Sequence, residues 1–251
     1  MIYIEESQSY VYLHIARIIS YELNLPVQIT DDFSKKGTWI LFATGFMHNV
    51  HKIIDGSYIV VQTENYKLSN NPRLQTDEYL EFLNNALFVW DYTSNFKLGY
   101  SLLNEIEFEE SKPIDILFYG SLNDRRINLL SKIDNCKILD PVDSNSWFPN
   151  LWNSIRNSKI VLSIHYYNPS NNDMARLAPL LSNSVFTISE RCNDENFNNI
   201  EDMIIADYDD IPNLCKYYLK HPEKRIEMKK RGYEYIIKNP IIIPSDLSNY
   251  V

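Results

Sequence analysis

The feature that most constrains the fold is the pattern between Lys159 and Glu190, KIVLSIHYYNPSNNDMARLAPLLSNSVFTISE. A short apolar run (Ile160 to Ile164) leads into a polar loop, a helical stretch from about Asp173 to Leu181, and a second apolar run (Val185 to Ile188). Nearly continuous apolar runs of this length suit strands covered on both faces, and strands joined through a helix lie parallel. In an open parallel sheet the ligand binds outside the carboxyl ends of the strands. Here those ends carry His165, Tyr166 and Tyr167 after the first run and Ser189 and Glu190 after the second.

The same alternation recurs along the chain. In the first half, a short strand at Ile2 to Ile4, VQIT, TWILFATG, YIVVQTEN and LFVWD are separated by the helical SYVYLHIARIISYELNL, a segment from Met47 to Ile54, and TDEYLEFLNNA. The last of these opens with a Thr cap followed by acidic residues, a helix-start signature. EIEFEESKP, acidic and ending in proline, reads as a linker. The second half runs IDILFYGS, DRRINLLSKI, KILD, WFPNLWNSIRNS, the opening stretch, EDMIIADYDD, IPNLCKYYLK and PEKRIEMKKRGYEYIIKN. Two successive units predict an α/β protein of two Rossmann-like domains, 1–111 and 112–251, facing a cleft.

Composition removes several function classes. The 251 residues are 45% hydrophobic and 23% charged, ordinary for a globular protein, and carry a net charge of -9. That balance argues against a general nucleic-acid binder, which neutralises phosphates with clustered Lys and Arg. Cys136, Cys192 and Cys215 lack CxxC spacing, so neither a disulfide framework nor a zinc knuckle is expected. MIYIEESQSY has no basic n-region, and no apolar run approaches the roughly 20 residues that span a bilayer. The expectation is a soluble, cytoplasmic protein without a transmembrane segment.

Candidate site residues sit where the strands end. Gly120 and Ser121 close the first strand of the second half, with Arg125 and Arg126 opening the next helix. A glycine lets backbone N–H groups approach a diphosphate, a helix N-terminus favours an anion, and a guanidinium grips phosphate as a fork. The plainer alternative is a strand–helix turn with two solvated arginines. His165 can donate to a phosphate or a sugar hydroxyl and Tyr166 can stack on a base, or the histidine is satisfied by nearby backbone. Asp173 and Arg176 share a helix face, as ligand residues or as an intrahelical ion pair, and Pro179 predicts a kink or an early helix end. Glu190 ends the next strand, to hold hydroxyls or to cap. In the first half, Gly45 leaves room for a ligand, while Glu64 and Asp91 end buried strands where a carboxylate can act as general base or as a cap. His48 and His51 lack a third partner for zinc. Asp207-Tyr-Asp209 has the letters of a metal motif but directly precedes a helix that Asp209 or Asp210 can cap.

Taken in order, YIVVQTEN, LFVWDYTSNFKLGY, DILFYGSLNDRR, SIHYYNPSNNDMARLAPLLSNSVFTISE and DYDDIPNLCKYYLKHPEKRIEMKKRG resemble a compact group of GT-B glycosyltransferases. The group is close to the CgeB-like and family-1-like transferases of bacteria and large viruses. The resemblance covers Ile40 to Tyr235. It implies a nucleotide-sugar donor held mainly by the second domain and a glycan or other hydroxyl acceptor held mainly by the first. It also implies no cofactor and no essential metal. In the family an acidic residue, usually Glu, grips the ribose at the position of Asp173, and a nearby Arg serves the phosphates. The resemblance therefore implies a metal-independent hexosyl- or pentosyltransferase. A noncatalytic nucleotide-sugar or glycan-binding module of the same fold is the alternative.

Overall fold

Two parallel sheets organise the chain, in a computed structural model that describes residues 2–5, 27–30, 32–42, 56–62, 76–91, 112–140, 150–168 and 173–239. The packing of the chain divides it into two units, Met1–Lys97 with Ile241–Val251, and Leu98–Pro240. The expected helix over SYVYLHIARIISYELNL, the segment from Met47 to Ile54, and residues 105–111 of the linker lie outside the described residues.

In the first unit, β1 (Ile2–Glu5), β2 (Val27–Thr30), β3 (Gly37–Phe42), β4 (Gly56–Gln62) and β5 (Phe88–Asp91) pair in the order β2-β1-β3-β4-β5. Every pairing is parallel. The strands read as nearly unbroken apolar runs because both of their faces are buried: neighbouring Trp39, Ile40 and Leu41 are all 0% exposed. Helix α1 (Asp77–Asn84) packs Tyr79, Phe82 and Leu83 against Trp39, Leu41 and Val60. Its start is set by Thr76, whose hydroxyl accepts the Tyr79 N–H at 3.1 Å, as the Thr-Asp-Glu sequence predicts.

In the second unit, β6 (Ile114–Tyr119), β7 (Cys136–Leu139), β8 (Ser158–Ser163), β9 (Thr187–Glu190) and β10 (Ile204–Ala206) form the order β7-β6-β8-β9-β10. These pairings are again all parallel, and the connectivity repeats that of the first sheet. Among the described residues of this unit the helices are α2 (Asp124–Leu130), α3 (Asn150–Arg156), α4 (Met174–Leu181), α5 (Glu195–Asn198), α6 (Ile211–Lys220) and α7 (Pro222–Lys238). Strand alternation sorts its core into two layers. Ile116 and Phe118 meet Leu129, Leu130, Ile211 and Cys215 on one face. Leu117 and Tyr119 meet Leu151, Ile155 and Leu180 on the other. Each such side chain contributes about 1.5–3 kcal/mol on burial, which fixes the strand register.

Strand β9 starts two residues later than the apolar run predicts. Val185 is consumed by the end of α4, where its N–H bonds the Leu180 carbonyl at 3.0 Å and the Ser184 N–H bonds that of Leu181 at 3.0 Å. Ser184 takes φ 51°, and Val185 packs in the same cluster as Leu180. This is a Schellman closure with its apolar contact. Pro179 does not end α4, which runs two residues further. The short α5, capped by Asp194, is an addition to the sequence reading. At Gly232 a Cβ would lie 2.8 Å from Leu181 Cδ2, so glycine lets α7 close on α4.

Candidate functional site

In the second sheet the strand order reverses between β6 and β8, the position at which an open parallel sheet receives its ligand. The turn after β6 begins at Gly120, with φ 139°, a conformation open to glycine and strained for other residues. A Cβ there would lie 3.3 Å from Arg126 Nη1 and 3.5 Å from Arg176 Nη2. Two guanidiniums therefore flank the bare face of this glycine. Arg126 is 5% exposed and is tied to backbone: Nε donates to the Ile164 carbonyl at 3.1 Å and Nη1 to that of Ser121 at 2.8 Å. Burial, with the nearby Arg176 charge, pulls its pKa down to about 10, so it stays a cation at neutral pH. Ser121 thus holds Arg126 through its carbonyl oxygen.

Arg176 donates from Nη1 to the Tyr119 carbonyl at 3.2 Å, and its guanidinium lies 4.9 Å from the Tyr119 ring centroid. Its Nε sits 3.2 Å from Asp173 Oδ2 without forming a hydrogen bond. Asp173 also accepts from the Ser163 hydroxyl at 2.9 Å. The expected helix-face pair of Asp173 and Arg176 is present, and it stands beside the Gly120 turn. The N-terminal amide of Arg126 is capped by Asn123 Oδ1 at 2.9 Å, and Asn123 Nδ2 donates to the Tyr166 carbonyl at 2.7 Å. The Tyr166 ring is 5.1 Å from the Arg126 guanidinium and is 37% exposed.

Arg125 points the other way. Its Nη1 donates to Glu190 Oε2 and to the His165 carbonyl, both at 2.9 Å, and its Nη2 donates to Glu190 Oε1. Glu190 is 4% exposed and also accepts the His165 N–H at 2.9 Å. His165 Nε2 lies 3.1 Å from the Glu190 carbonyl. A carbonyl only accepts, so Nε2 carries the proton and Nδ1 is left as an acceptor. Burial outweighs the nearby carboxylates and lowers the His165 pKa below its usual 6.5, keeping the ring neutral. Tyr208 completes this group: its hydroxyl donates to the Arg125 carbonyl at 2.6 Å and its ring centroid lies 4.3 Å from the guanidinium.

The two adjacent arginines thus serve two places, which their sequence adjacency hides. Beside Arg125, His165 and Glu190 opens a cavity of about 590 Å³. Its remaining wall comes from the ends of β9 and β10 and from α2, with Asn128, Asn168, Arg191, Cys192, Asn193 and Tyr208 among the lining residues. The sequence analysis missed these six. Tyr208 lay within the segment read only as a metal-motif look-alike, although it follows a strand end where the same carboxyl-end rule applies. In that segment Asp207 Oδ1 is paired with Arg191 Nε at 2.8 Å, and Tyr208–Asp210 forms a 3-10 turn leading into α6. Among the described residues no group of three or more His, Cys, Asp or Glu side chains is placed to hold a metal ion. No helix among them is long and apolar enough to cross a membrane.

Of the first-unit candidates, Asp91 is the last residue of β5, in register with Gln62 of β4. Gly45, Glu64, His48 and His51 lie outside the described residues.

No family model matches the chain, and no curated protein matches it significantly in sequence. Among solved structures it is similar to TarM, at 10% identity and a TM-score of 0.48, over 80% of this chain and 51% of that one. It is similar to a GtfA/B complex bound to UDP and GlcNAc, at 12% identity and a TM-score of 0.34, over 88% and 57%. A third is accessory secretory protein 1, 2 and 3 of Streptococcus pneumoniae, at 10% identity and a TM-score of 0.33, over 90% and 52%. The chain spans about half the length of each.

Proposed function

We propose that the chain is a metal-independent glycosyltransferase of GT-B type that moves a sugar from a nucleotide-sugar donor to a hydroxyl of a glycan or other acceptor. The observation that carries this reading is the gathering of polar and charged groups at the carboxyl ends of β6, β8, β9 and β10, around a glycine turn flanked by two arginines. In this reading the donor diphosphate lies at Gly120, where Arg176 and Arg126 offset charge developing on the departing nucleotide. The first unit receives the acceptor, with Glu64 or Asp91 as the general base.

A specific observation favours a second reading, a noncatalytic binding module. Asp173 is already engaged by Ser163 and Arg176, and Arg125 by Glu190, so much of the site's charge is internally paired. A thermal-shift screen against UDP, GDP, CDP, dTDP and their sugars, with and without EDTA, tests the first reading. A nucleotide at 100 times its Kd adds about 2.7 kcal/mol of stability. A shift indifferent to EDTA, with donor consumed when acceptor or water is present, supports the transferase. Binding without turnover supports the module, and no shift with any nucleotide sinks the donor-site assignment and puts a glycan-binding module ahead.

A further inference from the structure

The walls of the cavity beside Arg125 are charged, yet their charges close on one another. Arg125 forks onto Glu190, and Arg191 pairs with Asp207 at 2.8 Å. Asp209, also on the wall, meets Lys132 at 3.8 Å. Two cations thus face three carboxylates within the lining. A phosphate entering here meets cations that are already paired, and must displace Glu190 from Arg125, a bidentate and largely buried pair, or Asp207 from the more exposed Arg191, before it gains a guanidinium. The neutral part of the wall is rich in amide and hydroxyl groups, with Asn128, Asn168, Asn193 and Tyr208. Amides both donate and accept, which suits sugar hydroxyls and the edge of a nucleobase. The Gly120 turn has the opposite balance: Arg126 and Arg176 face the single carboxylate of Asp173.

We propose that this cavity takes the uncharged, hydroxyl-bearing ring portion of the donor and discriminates against its phosphates, which stay at the Gly120 turn. The inference rests on the donor reading above and names which part of the donor the cavity recognises. Two sources share that chemistry, the nucleoside and the transferred sugar.

Cys192 lines the cavity and provides a local reporter, while Cys215, 1% exposed, serves as the buried control in the same protein. Alkylation of each cysteine in the full chain is followed by peptide mass spectrometry at mildly alkaline pH. The probes are uridine, cytidine, guanosine and thymidine, free glucose and N-acetylglucosamine, pyrophosphate, and the intact UDP-, GDP-, CDP- and dTDP-sugars. A ligand at twice its Kd that covers Cys192 slows labelling about threefold. Protection by a nucleoside or by a free sugar is expected and identifies the source; pyrophosphate is expected to give none.

Glu190→Gln, which removes one carboxylate charge, is expected to make pyrophosphate protective. Asp207→Asn does the same at a pair whose side chains are 44% and 67% exposed, so a folding defect in the first variant leaves the second to decide. Protection of wild-type Cys192 by pyrophosphate overturns the proposal, as does the failure of both variants to admit it. So does an intact donor that binds by calorimetry while no neutral ring protects Cys192. If no donor binds by calorimetry, the donor reading fails and this inference falls with it.

Discussion

Replacing Arg125 by Met strands the Glu190 carboxylate, whose side chain is 6% exposed, with the His165 N–H at 2.9 Å as its remaining partner among those described above. Breaking a buried pair by removing one member costs about 3–5 kcal/mol, because the other charge stays desolvated. Glu190→Gln keeps an oxygen for His165 and leaves Arg125, 21% exposed, with the His165 carbonyl. That change is expected to cost about 2–3 kcal/mol, the scale of a charge-assisted hydrogen bond. The double variant buries neither charge, so it should be less destabilised than the sum of the two by a coupling energy of about 1–3 kcal/mol. The chain has two units, so the assay must report on the second alone. Alkylation of Cys215, on the core-facing side of α6, measured across a urea series does this. Additivity within about 0.5 kcal/mol would refute the claim that Arg125 and Glu190 act as one unit.

Three further outcomes follow from single positions. Gly232→Ala should destabilise the second unit by about 1 kcal/mol, although replacing a mid-helix glycine ordinarily stabilises, because the new Cβ meets Leu181 and overpacks the contact. A higher urea midpoint for this variant would contradict the observed approach of α7 to α4. Gly120→Ala forces φ 139° on an L residue and is expected to cost about 1–3 kcal/mol, with loss of nucleotide binding in calorimetry. His165 has a folded pKa below its ordinary 6.5, so the unfolded chain binds the proton more readily as pH falls below that value. The second unit should therefore lose stability on acidification from pH 6.5 downward, and His165→Asn should flatten that slope in a Tm-against-pH series.

Most of the second unit's elements were legible because their signals are local. Helix α6 coincides with IPNLCKYYLK, and α7 begins at Pro222, where a residue without an N–H is tolerated. The Thr76 cap and the parallel character of the strands were equally visible in residue type and hydrophobic run. The start of β9 was not, because Val185 is apolar enough for a strand and only the geometry of the α4 terminus recruits its N–H to Leu180. The site divided along the same line. Strand-end chemistry nominated Gly120, Arg125, Arg126, His165 and Glu190, and helix-face spacing nominated Asp173 and Arg176.

Apart from the i,i+3 pair of Asp173 and Arg176, which of these work together was a matter of tertiary structure. Arg125 and Arg126 are neighbours in the chain, yet one turns to Glu190 across 65 positions and the other to the Ile164 carbonyl across 38. Tyr208 reaches Arg125 across 83 positions, and the pairing of Arg191 with Asp207 appears only once β9 and β10 are aligned. The sequence by itself determined the parallel α/β architecture and the strand ends at which a ligand belongs, because hydrophobic runs, caps and glycines act within a few residues. The tertiary structure decided which charges are neutralised and which remain for a ligand. That outcome depends on side chains from separate strands meeting at one end of the sheet, in register, where burial makes each pairing count.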